Sequence, residues 1–195
     1  MLLKALGSRA AFVVIGFAML VGCTVSQPTN FYTLFDLAES REQVDGEPPR
    51  LGVASVNFPA YLDRPQIVTR RGSNRIAVAE FDHWAEPLET TVVRVLRENL
   101  SSQLGSDLVV ALPLRRNLPL DRQVEVEIAR FDADERGEVV LDANWRIFDG
   151  GGGRMLGGAR SVIREQATIP DDYESIAEAM SLCLALMSKD IAEAL

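Results

Sequence analysis

Residues 138–148 read Glu-Val-Val-Leu-Asp-Ala-Asn-Trp-Arg-Ile-Phe, and this stretch decides the fold class. An apolar side chain occupies every second position from Val139 to Ile147, and the positions between them include Asp142 and Arg146. Consecutive side chains of a β-strand point to opposite faces. The alternation therefore predicts a strand in a sheet that has one buried face and one solvated face.

The rest of the chain supplies the elements that this sheet needs. Further strands are predicted at residues 31–37, 51–58, 65–71, 75–81, 108–112, 123–128 and 155–167. Residues 87–104 and 171–195 carry apolar side chains at helical spacing. Gly105 is a helix stop, and Asp171 with Glu174 forms an N-terminal capping signature for the second helix.

This order of elements predicts one α+β domain over residues 31–195. A single mixed or antiparallel sheet of about seven to eight strands, with two main helices packed on one face, would bury every apolar stripe.

The N-terminal segment predicts export and lipidation. Lys4 and Arg9 precede the apolar run 10–20, which is too short to cross a bilayer comfortably and fits a secretory signal peptide. Leu20-Val21-Gly22-Cys23 then resembles the lipobox of bacterial lipoproteins. We therefore expect residues 1–22 to be cleaved and residues 23–30 to form a lipidated cysteine and a short tether.

The anchor sets the expected cofactors and location. Cys23 would carry covalent diacylglycerol and an N-acyl chain, and no other cofactor is expected. The next residue is Thr24 and not Asp, which in diderm bacteria favours the outer membrane over inner-membrane retention. The predicted location is the periplasmic face of the outer membrane.

Charge and cysteine content exclude several classes of function. Cleavage removes Lys4 and Arg9 from the 20 basic residues and none of the 28 acidic ones, which leaves 18 basic against 28 acidic side chains. Such a surface does not attract nucleic acid, and no nucleic-acid partner is expected. Cys183 is the one remaining thiol, so an intramolecular disulfide is excluded. Its place on the apolar stripe of the last helix predicts a buried, inert thiol.

The residues give little support for an enzyme. His83 is the single histidine, and the chain has no Gly-x-Ser-x-Gly elbow and no cysteine or histidine cluster of the kind that binds a metal. The acidic residues around Asp132 and Asp134 lack the spacing of a calcium loop and are interpreted as a solvated turn. A cell-wall enzyme or enzyme activator, with His83 or this turn doing chemistry, stays open as an alternative.

The stretch 61–71, Tyr-Leu-Asp-Arg-Pro-Gln-Ile-Val-Thr-Arg-Arg, is unusual in an acidic protein. One interpretation is a hairpin with a solvated basic end. The other is a docking surface, because Tyr and Arg are favoured anchors at protein interfaces.

These residues also carry a family resemblance. The run 61–70 followed by Asn74, the segments 83–88 and 94–100, and the residues 31–34 after the lipobox resemble the ABC-type transport auxiliary lipoproteins, the family of paraquat-inducible protein C. The resemblance covers nearly the whole mature chain.

The resemblance implies a non-enzymatic lipoprotein that accompanies MCE-domain proteins, which carry lipid between the inner and outer membranes. The implied partners are an MCE-domain protein and the membrane, and the ringed form of MCE assemblies agrees with a homo-oligomeric ring of this protein. A lipid-binding shuttle with its own apolar cavity is the third alternative. The candidate partner-binding residues are Tyr61, Asp63, Arg64, Arg70, Arg71 and Trp84.

Overall fold

The computed structural model describes residues 27–37, 48–113 and 118–195. The strands are β1 (Asn30–Tyr32), β2 (Leu51–Asn57), β3 (Gln66–Arg71), β4 (Arg75–Trp84), β5 (Val109–Ala111), β6 (Arg122–Asp134), β7 (Glu138–Asp149) and β8 (Met155–Gln166). The helices are α1 (Leu88–Leu104), between β4 and β5, and α2 (Tyr173–Glu193), after β8. The predicted order of four strands, helix, four strands and helix is confirmed.

Within the described residues the sheet is mixed and has eight strands, and it branches along β6. One edge of β6 pairs with β7 in antiparallel fashion along its length, and β7 pairs with β8 in the same way. The other edge of β6 pairs with β2 through residues 122–127 and with β3 only at Ala133 and Asp134. The loop that joins β2 to β3 therefore lies at the point where the two pairings separate.

The two helices cover the buried face of this sheet. Helix α1 packs against β2 and β5, α2 packs against β6, β7 and β8, and the helices contact each other. The core side chains are supplied by the alternating inward positions of the strands together with the apolar stripes of both helices. The predicted α+β class, with one mixed sheet and its two helices, is confirmed.

An extended segment, residues 33–37, crosses both helices, and we call it the strap. The backbone N–H of Phe35 donates to Ser181 Oγ of α2 at 3.2 Å, and the backbone N–H of Leu37 donates to Asn99 Oδ1 of α1 at 3.0 Å. Within the strap, the Leu34 side chain is fully buried. The strap thus ties the N-terminal end of the domain to the helical layer.

Three local predictions are corrected. The strand predicted at 31–37 is only Asn30–Tyr32, because the strap pairs with helix side chains instead of a strand. The strand predicted at 123–128 continues to Asp134 past a register shift between Ile128 and Arg130. The N-cap of α2 is Asp172, whose side chain accepts a hydrogen bond from Ser175, and not Asp171.

The predicted signal peptide and Cys23 lie outside the described residues. Within the described ranges, neither helix is both long and apolar enough to span a bilayer.

Candidate docking surface

The structure puts five of the six predicted contact residues at three places and the sixth, Trp84, in the hydrophobic core. Tyr61 and Arg70 meet at a buried carboxylate, Asp63 and Arg64 line a cleft, and Arg71 lies in the open at the end of β3. Trp84 belongs to the hydrophobic core, with 5% of its surface exposed. A core side chain offers no surface to a partner, so the prediction of Trp84 as a contact residue is withdrawn.

Asp132 is the centre of the first place. Its side chain is 0% exposed, although the sequence predicts a solvated turn at this position. The shift in β6 after Ile128 reverses the alternation, so Phe131 and Ala133 enter the core and Asp132 lies on the opposite face. The solvated interpretation of Asp132 was wrong.

Three side chains replace the water that Asp132 loses. The Tyr61 hydroxyl donates to Asp132 Oδ2 at 2.9 Å. Arg70 donates through Nη2 to Oδ2 at 2.9 Å and through Nε to Oδ1 at 3.3 Å. Arg130 Nε donates to Oδ1 at 2.7 Å. We call these four residues the Asp132 network. A buried carboxylate needs such partners, because an unpaired buried charge is strongly unfavourable.

The network changes the acidity of its members in the expected directions. Burial, the charge of Asp132 and the hydrogen bond to it raise the pKa of Tyr61 to about 12. The hydrogen bond to Asp132 raises the pKa of the Arg70 guanidinium above its usual value. Tyr61 therefore stays neutral and Arg70 stays charged across the physiological range. Tyr61 and Arg70 fix the β2–β3 loop and β3 onto β6. These two members of the stretch 61–71, which we call the signature stretch, therefore have a structural role.

Asp63 and Arg64 lie in the second place, a cleft of about 340 Å³ between the β2–β3 loop and the start of α1. Leu62 and Arg64 line one side, and Pro87, Leu88 and Glu89 line the other. Asp63 is exposed and Arg64 is half-buried. Arg64 Nε is shielded from solvent and has no hydrogen-bond partner among the described residues. A buried donor without a partner is uncommon in proteins and is satisfied when an acceptor arrives.

Arg71 is the third place. It is exposed, and its Nη2 lies 4.0 Å from a carboxylate oxygen of Asp171, which is itself exposed. An exposed pair at this distance contributes little to stability. Arg71 is therefore free to contact a partner without cost to the fold.

His83, the candidate for catalysis in the alternative interpretation, lies on β4. Its Nε2 is 3.2 Å from the Glu80 carbonyl oxygen, and its ring meets the Phe31 ring edge-on at 6.1 Å. Among the described residues, no group of three or more His, Cys, Asp or Glu side chains could hold a metal ion. Cys183 is buried as predicted, and burial, followed by the charge of Glu165, raises the pKa of its thiol to about 12.

Two features of the structure were not predicted from the sequence. Arg130 of the Asp132 network was not singled out, although Arg130-x-Asp132 places both side chains on one face of a strand. The exposed side chains of Phe31, Phe35 and Leu37 were read as a strand, whereas they border a groove of about 510 Å³ against α2. The sequence signal for this groove was the pair Phe31 and Phe35, two large apolar residues close to the predicted anchor at Cys23.

A family model described as the ABC-type transport auxiliary lipoprotein component matches residues 32–192. The chain belongs to this family of lipoproteins. The match includes the Asp132 network, the cleft and Arg71.

Two relatives agree with this family, and two solved structures share the fold. The intermembrane transport lipoprotein PqiC of Escherichia coli (strain K12) is 26% identical over 137 residues, which cover 69% of this chain and 72% of PqiC. PqiC of Shigella flexneri matches to the same extent. A crystal structure of a Xanthomonas campestris protein shares the fold with a TM-score of 0.71 at 14% identity, covering 84% of this chain and 93% of that one. The crystal structure of an uncharacterized protein has a TM-score of 0.69 at 21% identity, with 86% and 99% covered.

Proposed function

We propose that this transport auxiliary lipoprotein is anchored in the outer membrane through Cys23 and docks an MCE-type intermembrane lipid transport assembly from the periplasmic side. The observation that carries the proposal is the family match, which spans the whole described domain apart from its ends. The relatives named as intermembrane transport lipoproteins support a role beside other transport components.

The docking residues that we propose are Asp63, Arg64 and Arg71. They belong to the signature stretch, yet the Asp132 network does not use them, and each side chain is exposed or half-buried. The Nε–H of Arg64, which has no partner among the described residues, would donate a hydrogen bond to an oxygen of the docked protein inside the cleft. Tyr61 and Arg70 contribute to docking indirectly in this proposal, because they hold the loop that presents Asp63 and Arg64.

This division of roles decides the experiment. Reversing Arg70 to glutamate would place a second carboxylate beside the buried Asp132 and would damage the fold, so Arg70 must stay unchanged. The test is an affinity pull-down of the full-length lipoprotein from detergent-solubilised envelope of its own cell, comparing the wild type with the Arg64→Glu/Arg71→Glu variant. We expect the wild type to retain an MCE-domain protein and the variant to lose most of it.

A charge-matched control is available on the same molecule. Arg136 is exposed in the β6–β7 turn, and Arg146 is exposed on β7, where it pairs with Glu127 at 3.1 Å. The Arg136→Glu/Arg146→Glu variant changes the net charge equally and should retain the partner. If both variants lose the partner equally, the effect is one of overall charge and the proposed surface is wrong. If the wild type retains no MCE-domain protein, the docking role itself is wrong.

The two alternatives lack a supporting observation of comparable weight. A cell-wall enzyme or enzyme activator would need His83 or the acidic turn at its site, and Asp132 of that turn is fully occupied by the Asp132 network. A lipid shuttle would need an apolar cavity to enclose acyl chains. The groove beside the strap is open to solvent and is bordered by Glu174 and Glu178.

A further inference from the structure

An exposed apolar patch lies at the N-terminal end of the domain. Phe31, Phe35 and Leu37 expose 67%, 60% and 50% of their surfaces, and we call these three side chains the strap patch. Leu182, beside the Ser181 that holds the strap, is exposed on α2 as well. Large apolar side chains that stand together on a surface mark a contact with another protein or with a membrane.

The strap patch is held in place and does not hang from a loose tail. Arg94 of α1 donates to the Leu34 carbonyl oxygen at 3.0 Å and to Thr33 Oγ1 at 3.2 Å. Leu34 itself is fully buried. Since these contacts fix the backbone, Phe35 points outward as a consequence of Leu34 pointing inward. The exposure is a property of the folded domain.

The surroundings favour an uncharged occupant. The groove between the strap and α2 is lined by the strap patch and by Ala177, with Glu174 and Glu178 at its border. Two carboxylates disfavour an anionic ligand. Aromatic rings beside polar side chains are favoured at the interface of a lipid bilayer. The interface of a zwitterionic bilayer carries no net charge and therefore suits this groove.

The position of the patch in the chain selects that occupant. Phe31 follows Cys23 with only the residues 24–30 between them. At about 3.3 Å per extended residue, such a tether reaches on the order of 25 Å. We propose that the strap patch rests in the interfacial layer of the phospholipid bilayer that holds the Cys23 anchor. This inference rests on the lipid anchor of the proposed function.

The contact would orient the domain. The acyl chains hold the patch at high effective concentration next to the bilayer, so even a weak insertion of three side chains is populated. The helical layer then faces the lipid, and the opposite face of the sheet is directed toward the periplasm. Ser161 of β8 faces the helical layer, because its hydroxyl donates to Asp190 Oδ2 of α2 at 2.6 Å. The next residue of the strand, Val162, therefore lies on the opposite face of the sheet.

The test labels the two faces separately. Full-length lipidated protein carries Phe35→Cys or Val162→Cys, each at a side chain that is exposed in the wild type, by 60% and 46%. The acylated Cys23 and the buried Cys183 do not compete for a thiol reagent, so the fluorophore NBD attaches at the new cysteine. Both proteins are reconstituted into phosphatidylcholine vesicles with and without nitroxide-labelled phosphatidylcholine.

The expected result is a blue-shifted emission at position 35 and quenching by nitroxide lipid that is at least about twofold stronger there than at position 162. Equal, weak quenching at both positions, with the protein floating with the vesicles, would overturn the membrane contact and leave the anchor intact. A blue shift at position 35 that grows with protein density and is not quenched by nitroxide lipid would overturn it in favour of a second copy. Failure of both proteins to float with the vesicles would overturn the anchor and the inference together.

Discussion

Replacement of Asp132 by alanine would remove the acceptor of four hydrogen bonds, one from Tyr61, two from Arg70 and one from Arg130. The Asp132 side chain is 0% exposed, while those of Arg70 and Arg130 are 25% and 27% exposed. The two partly buried guanidinium groups of Arg70 and Arg130 would then lie near each other without a counter-charge. Breaking a buried ion pair in this way costs roughly 3–5 kcal/mol of unfolding free energy.

The measurement is urea unfolding of the full-length protein, followed through the fluorescence of Trp84 and Trp145. Both tryptophans are buried, with 5% and 4% of their surfaces exposed, so their emission reports the loss of the core. For a domain of this length, the expected loss corresponds to a melting temperature lower by roughly 10 °C. The Asp132→Ala/Arg70→Met variant should recover part of the loss, because it removes one of the orphaned charges.

A matched control is the second aspartate of the same face. Asp142 of β7 pairs with Arg160 of β8 at 2.7 Å, but its side chain is 19% exposed and that of Arg160 is 61% exposed. Asp142→Ala should cost no more than about 1 kcal/mol, as is usual for pairs that water can solvate. A loss of about 1 kcal/mol or less in Asp132→Ala as well would refute the reasoning that the Asp132 network holds the β2–β3 loop on the sheet.

Three further predictions follow from single groups. Leu34→Ala should lower the unfolding free energy by roughly 2–5 kcal/mol, because the side chain is fully buried. Leu37→Ala, at an exposed side chain, should change it by less than about 0.5 kcal/mol in the same urea titration. Equal effects would contradict the inward position of Leu34 in the strap. Cys183 should not react with Ellman's reagent at pH 8 until urea is added, because burial raises the pKa of its thiol to about 12, and rapid native labelling would show an open core. Tyr61 has a folded pKa of about 12 against its usual 10, so its contribution to stability is present below pH 10 and is lost as the pH rises from 10 to 12; urea midpoints should fall over that window less steeply in Tyr61→Phe than in the wild type.

The parts of the fold that the sequence predicts well are those in which local pattern and burial agree. Strand β7 keeps an unbroken alternation, and its observed bounds, Glu138–Asp149, differ from the prediction by one residue. Helix α1 begins one residue after the predicted start, and Gly105 ends it with a positive φ of 59°, as its position indicated. In both elements, neighbours in the chain supply the deciding information.

The parts that could not be predicted depend on distant residues. The predicted strand ends at residue 128, whereas β6 continues to Asp134. The register shift near Ala129 exchanges the two faces of the strand, so the alternation of apolar and polar residues breaks there. Asp132 is buried only because Tyr61 and Arg70, distant in the chain, fold over it. The signature stretch drew attention as a contact surface, whereas its tyrosine and one of its arginines serve the interior. No local pattern separates these two uses of the same residue types.

The proposed docking role requires that the cleft beside α1 contact an MCE-type transport component in the periplasm. The most direct measurement places a photo-reactive phenylalanine analogue at Asp63 in the intact cell and identifies the cross-linked protein by mass spectrometry, with the same analogue at Arg136 as the control. Both positions are exposed. We expect a cross-link to an MCE-domain protein from position 63 and none from position 136. A cross-link from position 63 to a cell-wall enzyme, or no cross-link from a protein that is folded and membrane-anchored, would contradict it.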